Sequence, residues 1–189
     1  RAMGLALPAD GPTVPAPPAR ARREPVGFAS GTVWLGTPGD GFAPDNERPA
    51  REVQVPAFEV DAQVVCWAEF AEFAADGGYD DPRWWAPSGW DWIEAHSRRA
   101  PRYVEQLIEG VLVQRAGRIE RASPAQAALH LSWYEADAWC RWAGRRLPSE
   151  AEWALAMGQA RARGLAWGDG FEWLAGSAQP WPGQNSGPA

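Results

Sequence analysis

The apolar positions change period several times along the chain. Thr32-Val33-Trp34-Leu35-Gly36 is a short apolar run closed by glycine and predicts a strand, followed by a Gly/Pro/Asp loop from Thr37 to Pro49. Val53, Val55, Phe58 and Val60 alternate with polar neighbours around Pro56, as in a half-buried strand with an edge or bulge at the proline. Trp67, Phe70, Ala71 and Ala74 fall at i, i+3, i+4 and i+7, which predicts an amphipathic helix stopped at Gly77-Gly78. Residues 79–100 are irregular and rich in tryptophan. Pro101 can open a short helix carrying Tyr103, Val104, Leu107 and Ile108, closed by Gly110. Val111, Val113 and Ile119 flank Ala116-Gly117, a hairpin signal.

Two capping boxes follow. In Ser132-Trp133-Tyr134-Glu135, Ser132 caps a helix and Glu135 reaches back to it; the helix runs to about Ala143 and ends at Gly144. Trp133, Ala136, Trp139, Cys140 and Trp142 leave that helix only a narrow polar stripe, so most of it should be buried. Ser149-Glu150-Ala151-Glu152 starts a further helix through about Gln159. Trp167-Gly168-Asp169-Gly170 then turns the chain into Phe171-Glu172-Trp173. Ahead of all this, residues 1–27 are Pro-, Ala- and Arg-rich without a period and read as a linker or extended arm, which suggests a domain before it in the natural protein.

Composition narrows the class. Of 189 residues, 46% are hydrophobic, enough for a core, while a net charge of −6 argues against nucleic acid or an anionic membrane as partner. No apolar run approaches the roughly 18 residues of a membrane span, and no secretory leader opens the chain, so a cytoplasmic protein is expected. Cys66 and Cys140 sit inside helical apolar patterns and read as small buried hydrophobes. With His96 and His130 the only histidines, a three-histidine metal site cannot be built from this chain, and no metal ligand is assigned in it. The 13 tryptophans, 20 glycines and 18 prolines predict a loop-heavy domain with large rigid aromatic surfaces.

The run from His130 to Trp153, HLSWYEADAWCRWAGRRLPSEAEW, resembles the signature of the formylglycine-generating-enzyme/sulfatase-modifying-factor superfamily, and Trp167-Gly168-Asp169 resembles the turn that follows it there. The resemblance implies an α+β, C-type-lectin-like fold, loop-rich, with short twisted strands and two main helices near 66–76 and 133–143. Asp45-Asn46-Glu47-Arg48-Pro49, Asp76-Gly77-Gly78-Tyr79, Trp84-Trp85 and Gly89-Trp90-Asp91-Trp92 are similar to ergothioneine-type sulfoxide synthases. So is the stretch from Phe171-Glu172-Trp173 to Trp181-Pro182-Gly183, and the similarity spans roughly residues 28–183. Those synthases keep their iron-binding histidines in a preceding DinB-like domain and continue into a further substrate-lining region; neither has a match here. Residues 28–189 are therefore expected to be a sulfatase-modifying-factor-like domain truncated at its C-terminus.

Where the synthases tend to carry a tyrosine near the iron, this chain has Trp181, and Arg102 to Arg115 is also not the usual form. Both departures fit the selenoneine-synthase branch as well as an ergothioneine enzyme. The resemblance thus implies part of a non-haem iron(II), O2-dependent oxidoreductase that joins selenium or sulfur from a seleno- or thio-donor to the imidazole C2 of hercynine. Fe(II) would be held by the DinB-like domain, so this chain alone is expected to be inactive. Two alternatives stand beside it: an oxidase that matures sulfatases, which would need a copper-binding cysteine pair, and a non-catalytic lectin-like binding module.

The resemblance places Trp181 and Trp173 near the substrate, with Trp90 and Asn46 as further substrate-binding candidates; the catalytic residues are not identified. Trimethylated hercynine carries a quaternary ammonium, which aromatic faces attract by roughly 0.5–2 kcal/mol per contact. Trp84, Trp85, Trp90 and Trp92 could supply such faces, although most of these rings are expected to pack the core. His130 reads as a hydrogen-bonded core or strand-end residue, His96 as exposed. Glu150 and Glu152 read as helix-capping and dipole groups before acid–base ones.

Overall fold

The computed structural model describes residues 16–36 and 50–176. Their elements are, in order, β1 (Val26–Phe28), β2 (Gly31–Leu35), β3 (Arg51–Val55), β4 (Phe58–Val60), α1 (Trp67–Ala75), a 3-10 turn over Pro82–Trp84, α2 (Pro87–Ala95), β5 (Val104–Gln106), β6 (Leu112–Arg115), β7 (Arg118–Arg121), α3 (Trp133–Trp142) and α4 (Glu150–Arg163). All strand pairs are antiparallel, in three small sheets ordered β1-β4, β2-β3 and β5-β6-β7. This is a mixed α and antiparallel-β architecture. Among the described residues there are four helices: α1 and α3 are the two main ones expected, α4 is the helix expected from Ser149 and outlasts its predicted end at Gln159 by a full turn, and α2 was not anticipated.

The chain divides into two units. The first takes in residues 63–146 and 167–172 together with residues 16–22 of the arm. Trp67, Phe70 and Phe73 recur every three residues on α1, and all three are buried. Fully burying Phe70 and Phe73 contributes about 1.5–3 kcal/mol each. Glycine ends α1 for two different reasons. Gly77 takes φ +78°, the left-handed conformation a helix stop needs, whereas a Cβ on Gly78 would lie 2.2 Å from the Phe73 ring. The second glycine is therefore a matter of space.

Residues 79–110 depart from the expected pattern. The irregular stretch contains α2, opened by Pro87 at its first turn, with Gly89 and Ile93 buried; the tryptophans around them hid that period. The helix expected from Pro101 to Gly110 does not form. Tyr103 and Glu109 adopt φ +65° and +61°, which a right-handed helix cannot contain, and Val104 pairs across to Val113 in the sheet. The hairpin predicted at Ala116-Gly117 is present: Arg115 faces Arg118, and both turn residues have positive φ (+47° and +76°), as a two-residue turn matched to strand twist requires.

The arm is tied into this unit. Arg20 N–H donates to the Ala125 carbonyl (2.8 Å), Gln126 Nε2 donates to the Pro17 carbonyl (2.8 Å), and the Arg20 guanidinium grips Asp169.

The second unit contains β1 to β4, α4 and residues 173–176. Pro56 was expected to mark an edge or bulge in one strand. It separates two: β3 ends at Val55 and pairs with β2, and β4 begins at Phe58 and pairs with β1. Lacking an N–H, the proline cannot continue a ladder. Phe28, Val55, Ala62, Leu155, Ala156, Ala160 and Leu165 form the core, with Phe28 stacked on Phe58 at 5.1 Å. Gly31 lets α4 approach β2, since a Cβ there would stand 3.3 Å from Leu155 Cδ1. At the start of α4, Ser149 Oγ accepts from Glu152 N–H (3.2 Å) and the Glu152 carboxylate accepts from Ser149 N–H (2.8 Å), which is the capping role expected of it.

Candidate functional site

The Gly-Gly-Tyr and tryptophan motifs converge inside the first unit. Phe73 lies at the centre, with ring contacts to Phe70, Tyr79, Trp85 and Trp142 at 5.6–6.4 Å. Trp85 Nε1 donates to the Gly78 carbonyl (2.8 Å) and Trp139 Nε1 to the Glu69 carbonyl (3.1 Å), so these buried indoles have their polar edge satisfied. The Tyr79 hydroxyl donates to Glu135 Oε1 (2.7 Å) while Glu135 Oε2 accepts from Ser132 N–H (2.7 Å). Glu135 is only 1% exposed, and its charge is held by these donors and by the positive end of α3. Burial, then the facing carboxylate, pushes the Tyr79 phenol well above its ordinary pKa, so it stays protonated as donor. This pair was not anticipated. The Gly-Gly-Tyr motif is a packing and anchoring device here.

Of the four clustered tryptophans only Trp85 is buried; Trp84, Trp90 and Trp92 are half-buried, which corrects the expectation that most pack the core. Two of the half-buried rings already have company. Arg83 lies 4.5 Å over Trp84, and Trp92 meets Tyr134 (5.7 Å), His96 (5.5 Å) and Arg98 (5.9 Å). Trp90, on α2, has no ring or cation partner among the described residues. His96 is exposed as expected, its Nδ1–H donating to the Trp92 carbonyl (2.8 Å). In the second unit Trp173 is 48% exposed. Asn46 and Trp181 lie outside the described residues.

His130 departs from its expected role. It is exposed, at φ +66°, with its ring edge-on to Tyr103 at 5.1 Å, itself at φ +65°. Partial burial, then the charges of Arg115 and Arg102, holds the imidazole pKa below its ordinary value. The Trp-Gly-Asp turn has its acid engaged: Arg20 Nε and Nη2 donate to the two oxygens of Asp169 at 2.7 and 2.8 Å, lowering the carboxyl's pKa. No local sequence signal could reveal a pair 149 residues apart. Cys140 is buried in α3 and Cys66 caps α1, where burial raises its thiol pKa, the reverse of thiolate activation. Among the described residues no three His, Cys, Asp or Glu side chains come together as a metal site would need, and no helix is long and apolar enough to cross a membrane.

The Sulfatase-modifying factor enzyme 1-like domain family matches residues 12–186. The hercynine oxygenase of Mycolicibacterium smegmatis is 41% identical over 143 residues, 72% of this chain and 30% of that protein. Its counterpart in Mycolicibacterium thermoresistibile is 39% identical over 132 residues, covering 68% and 29%. The formylglycine-generating enzyme of Streptomyces coelicolor is 31% identical over 188 residues, covering 88% and 58%. The chain thus spans less than a third of the hercynine oxygenases it matches.

Proposed function

The chain belongs to the Sulfatase-modifying factor enzyme 1-like domain family, and from that membership we propose that it is the substrate-binding part of an oxidoreductase acting on hercynine. The observation that carries the reading is the 41% identity with a hercynine oxygenase, against 31% with a formylglycine-generating enzyme. In this reading the complete protein forms a carbon–selenium or carbon–sulfur bond at the imidazole C2, with O2 as oxidant and iron(II) as cofactor. The described residues do not offer a fitting iron site, so the metal would be held by residues elsewhere in the complete protein. This chain's part is to bind and orient hercynine and to keep water from it. Trp90 would present an indole face to the trimethylammonium; Trp173, Trp181 and Asn46 are carried as further substrate-binding candidates by the family resemblance alone.

The test compares hercynine with histidine, which lacks the three methyl groups, as ligands of the complete natural protein. Hercynine should bind more tightly, and Trp90→Ala should weaken it by about 2- to 30-fold, the equivalent of one cation–π contact, while leaving histidine unaffected. Equal affinity for the two ligands, unchanged by the substitution, would remove the aromatic contact from the reading.

A further inference from the structure

Apart from the tryptophans, a second cluster combines charge, aromatic surface and backbone strain. We infer that Arg102, Tyr103, Arg115 and His130 form a binding site for a small oxyanion, the phosphate or carboxylate group of a ligand. Tyr103 and His130 are both non-glycine residues in the left-handed region, at φ +65° and +66°, and their rings touch at 5.1 Å. Each such residue costs about 1–2 kcal/mol, which glycine or asparagine would avoid. The conformation is nonetheless held firmly, because the Tyr103 carbonyl accepts Gln114 N–H at 2.7 Å from β6. Both side chains are exposed, so the strain is not repaid by burial.

The charges point the same way. Arg102 lies 4.7 Å over the Tyr103 ring, which fixes its plane and leaves the N–H donors at its edge for a partner. It has no carboxylate within ion-pair distance among the described residues. Arg115 faces Glu120 at 3.6 Å, a separation at which a partly exposed pair contributes little. The charges that act on His130 are those of Arg115 and Arg102, with Tyr103 against its ring and Glu120 paired to Arg115. In a chain of net charge −6, this is a local excess of positive charge: two guanidiniums and an imidazole beside the single carboxylate of Glu120. An oxyanion here would accept from both guanidiniums and the imidazole, relieve the repulsion that depresses the His130 pKa, and draw a proton onto the ring. Binding should strengthen as pH falls toward the histidine range.

The experiment follows the two histidine side chains of the 189-residue chain by NMR during titration with inorganic phosphate and, separately, acetate, at constant ionic strength set with chloride. His130 should move saturably and its pKa should rise, while the His96 signals stay in place. Tighter phosphate binding would mark a phosphoryl ligand and tighter acetate binding a carboxylate, and either supports the site. Arg102→Gln should weaken binding by about tenfold, the loss of one charged hydrogen bond. Tyr103→Gly should raise the thermal midpoint, because the left-handed strain disappears, yet weaken the anion. No saturable His130 response to either anion over the chloride background, or full affinity retained in both variants, would overturn the assignment.

Discussion

A carboxylate at 1% exposure is tolerable only while its oxygens are filled, and Glu135 fills one with Ser132 N–H and the other with the Tyr79 hydroxyl. Tyr79→Phe keeps the ring packing and removes one donor, so it should cost about 1–3 kcal/mol in urea unfolding. If the two wild-type and variant curves coincide, Glu135 has another donor and the buried pair is misassigned. Gly78→Ala presses a methyl into the Phe73 ring and should cost a similar 1–3 kcal/mol. Half of this was legible beforehand. The Ser132–Glu135 box is local and could be read directly, as could the helix stop at Gly77-Gly78. The Tyr79 contact reaches across 56 residues, and nothing in the local pattern of either residue announces it.

At the scale of elements, local chemistry could be read wherever a single signal dominated. Both serine capping boxes, the Ala116-Gly117 hairpin and the apolar stripe of α1 formed as their sequences predict. Ala116 is the weak part of the hairpin, since alanine bears the left-handed cost at φ +47° that asparagine tolerates better. Ala116→Asn should therefore stabilise the protein by about 1 kcal/mol, measured as a shift of the urea midpoint at unchanged slope. A destabilised variant would mean that the turn is not of this type. The misreadings fall where signals compete. Pro101, Val104, Leu107 and Ile108 fit a short helix as well as a strand, and tertiary pairing with β6 decided for the strand. In α2 the two tryptophans are only half-buried and one of the two buried positions is Gly89, so no apolar face stood out.

For the whole molecule, the Arg20–Asp169 pair ties the arm to the Trp-Gly-Asp turn within the first unit. Asp169 has a depressed folded pKa, so its contribution is present above the unfolded value near pH 4 and is lost as pH falls through the lower folded one. His130 is depressed as well, so its contribution is complete above roughly pH 6.5 and fades below it. Acidification should lower the thermal midpoint in two stages, with Arg20→Gln removing the more acidic stage and His130→Gln the other. A single stage unaffected by either substitution would contradict both assignments. Family membership was legible from the run between His130 and Trp153, which is long and contiguous. The substrate-binding candidates were less so, because they are scattered in the sequence from Asn46 to Trp181 and no local pattern groups them.

Product analysis is the decisive test of the proposed reaction on hercynine. The complete natural protein would be supplied with iron(II), O2, hercynine and either a thio- or a seleno-donor, and the products identified by mass spectrometry. The account predicts hercynine carrying sulfur or selenium at the imidazole C2. Unaltered hercynine from both mixtures, together with conversion of a sulfatase peptide's cysteine to formylglycine by the same preparation, would contradict it.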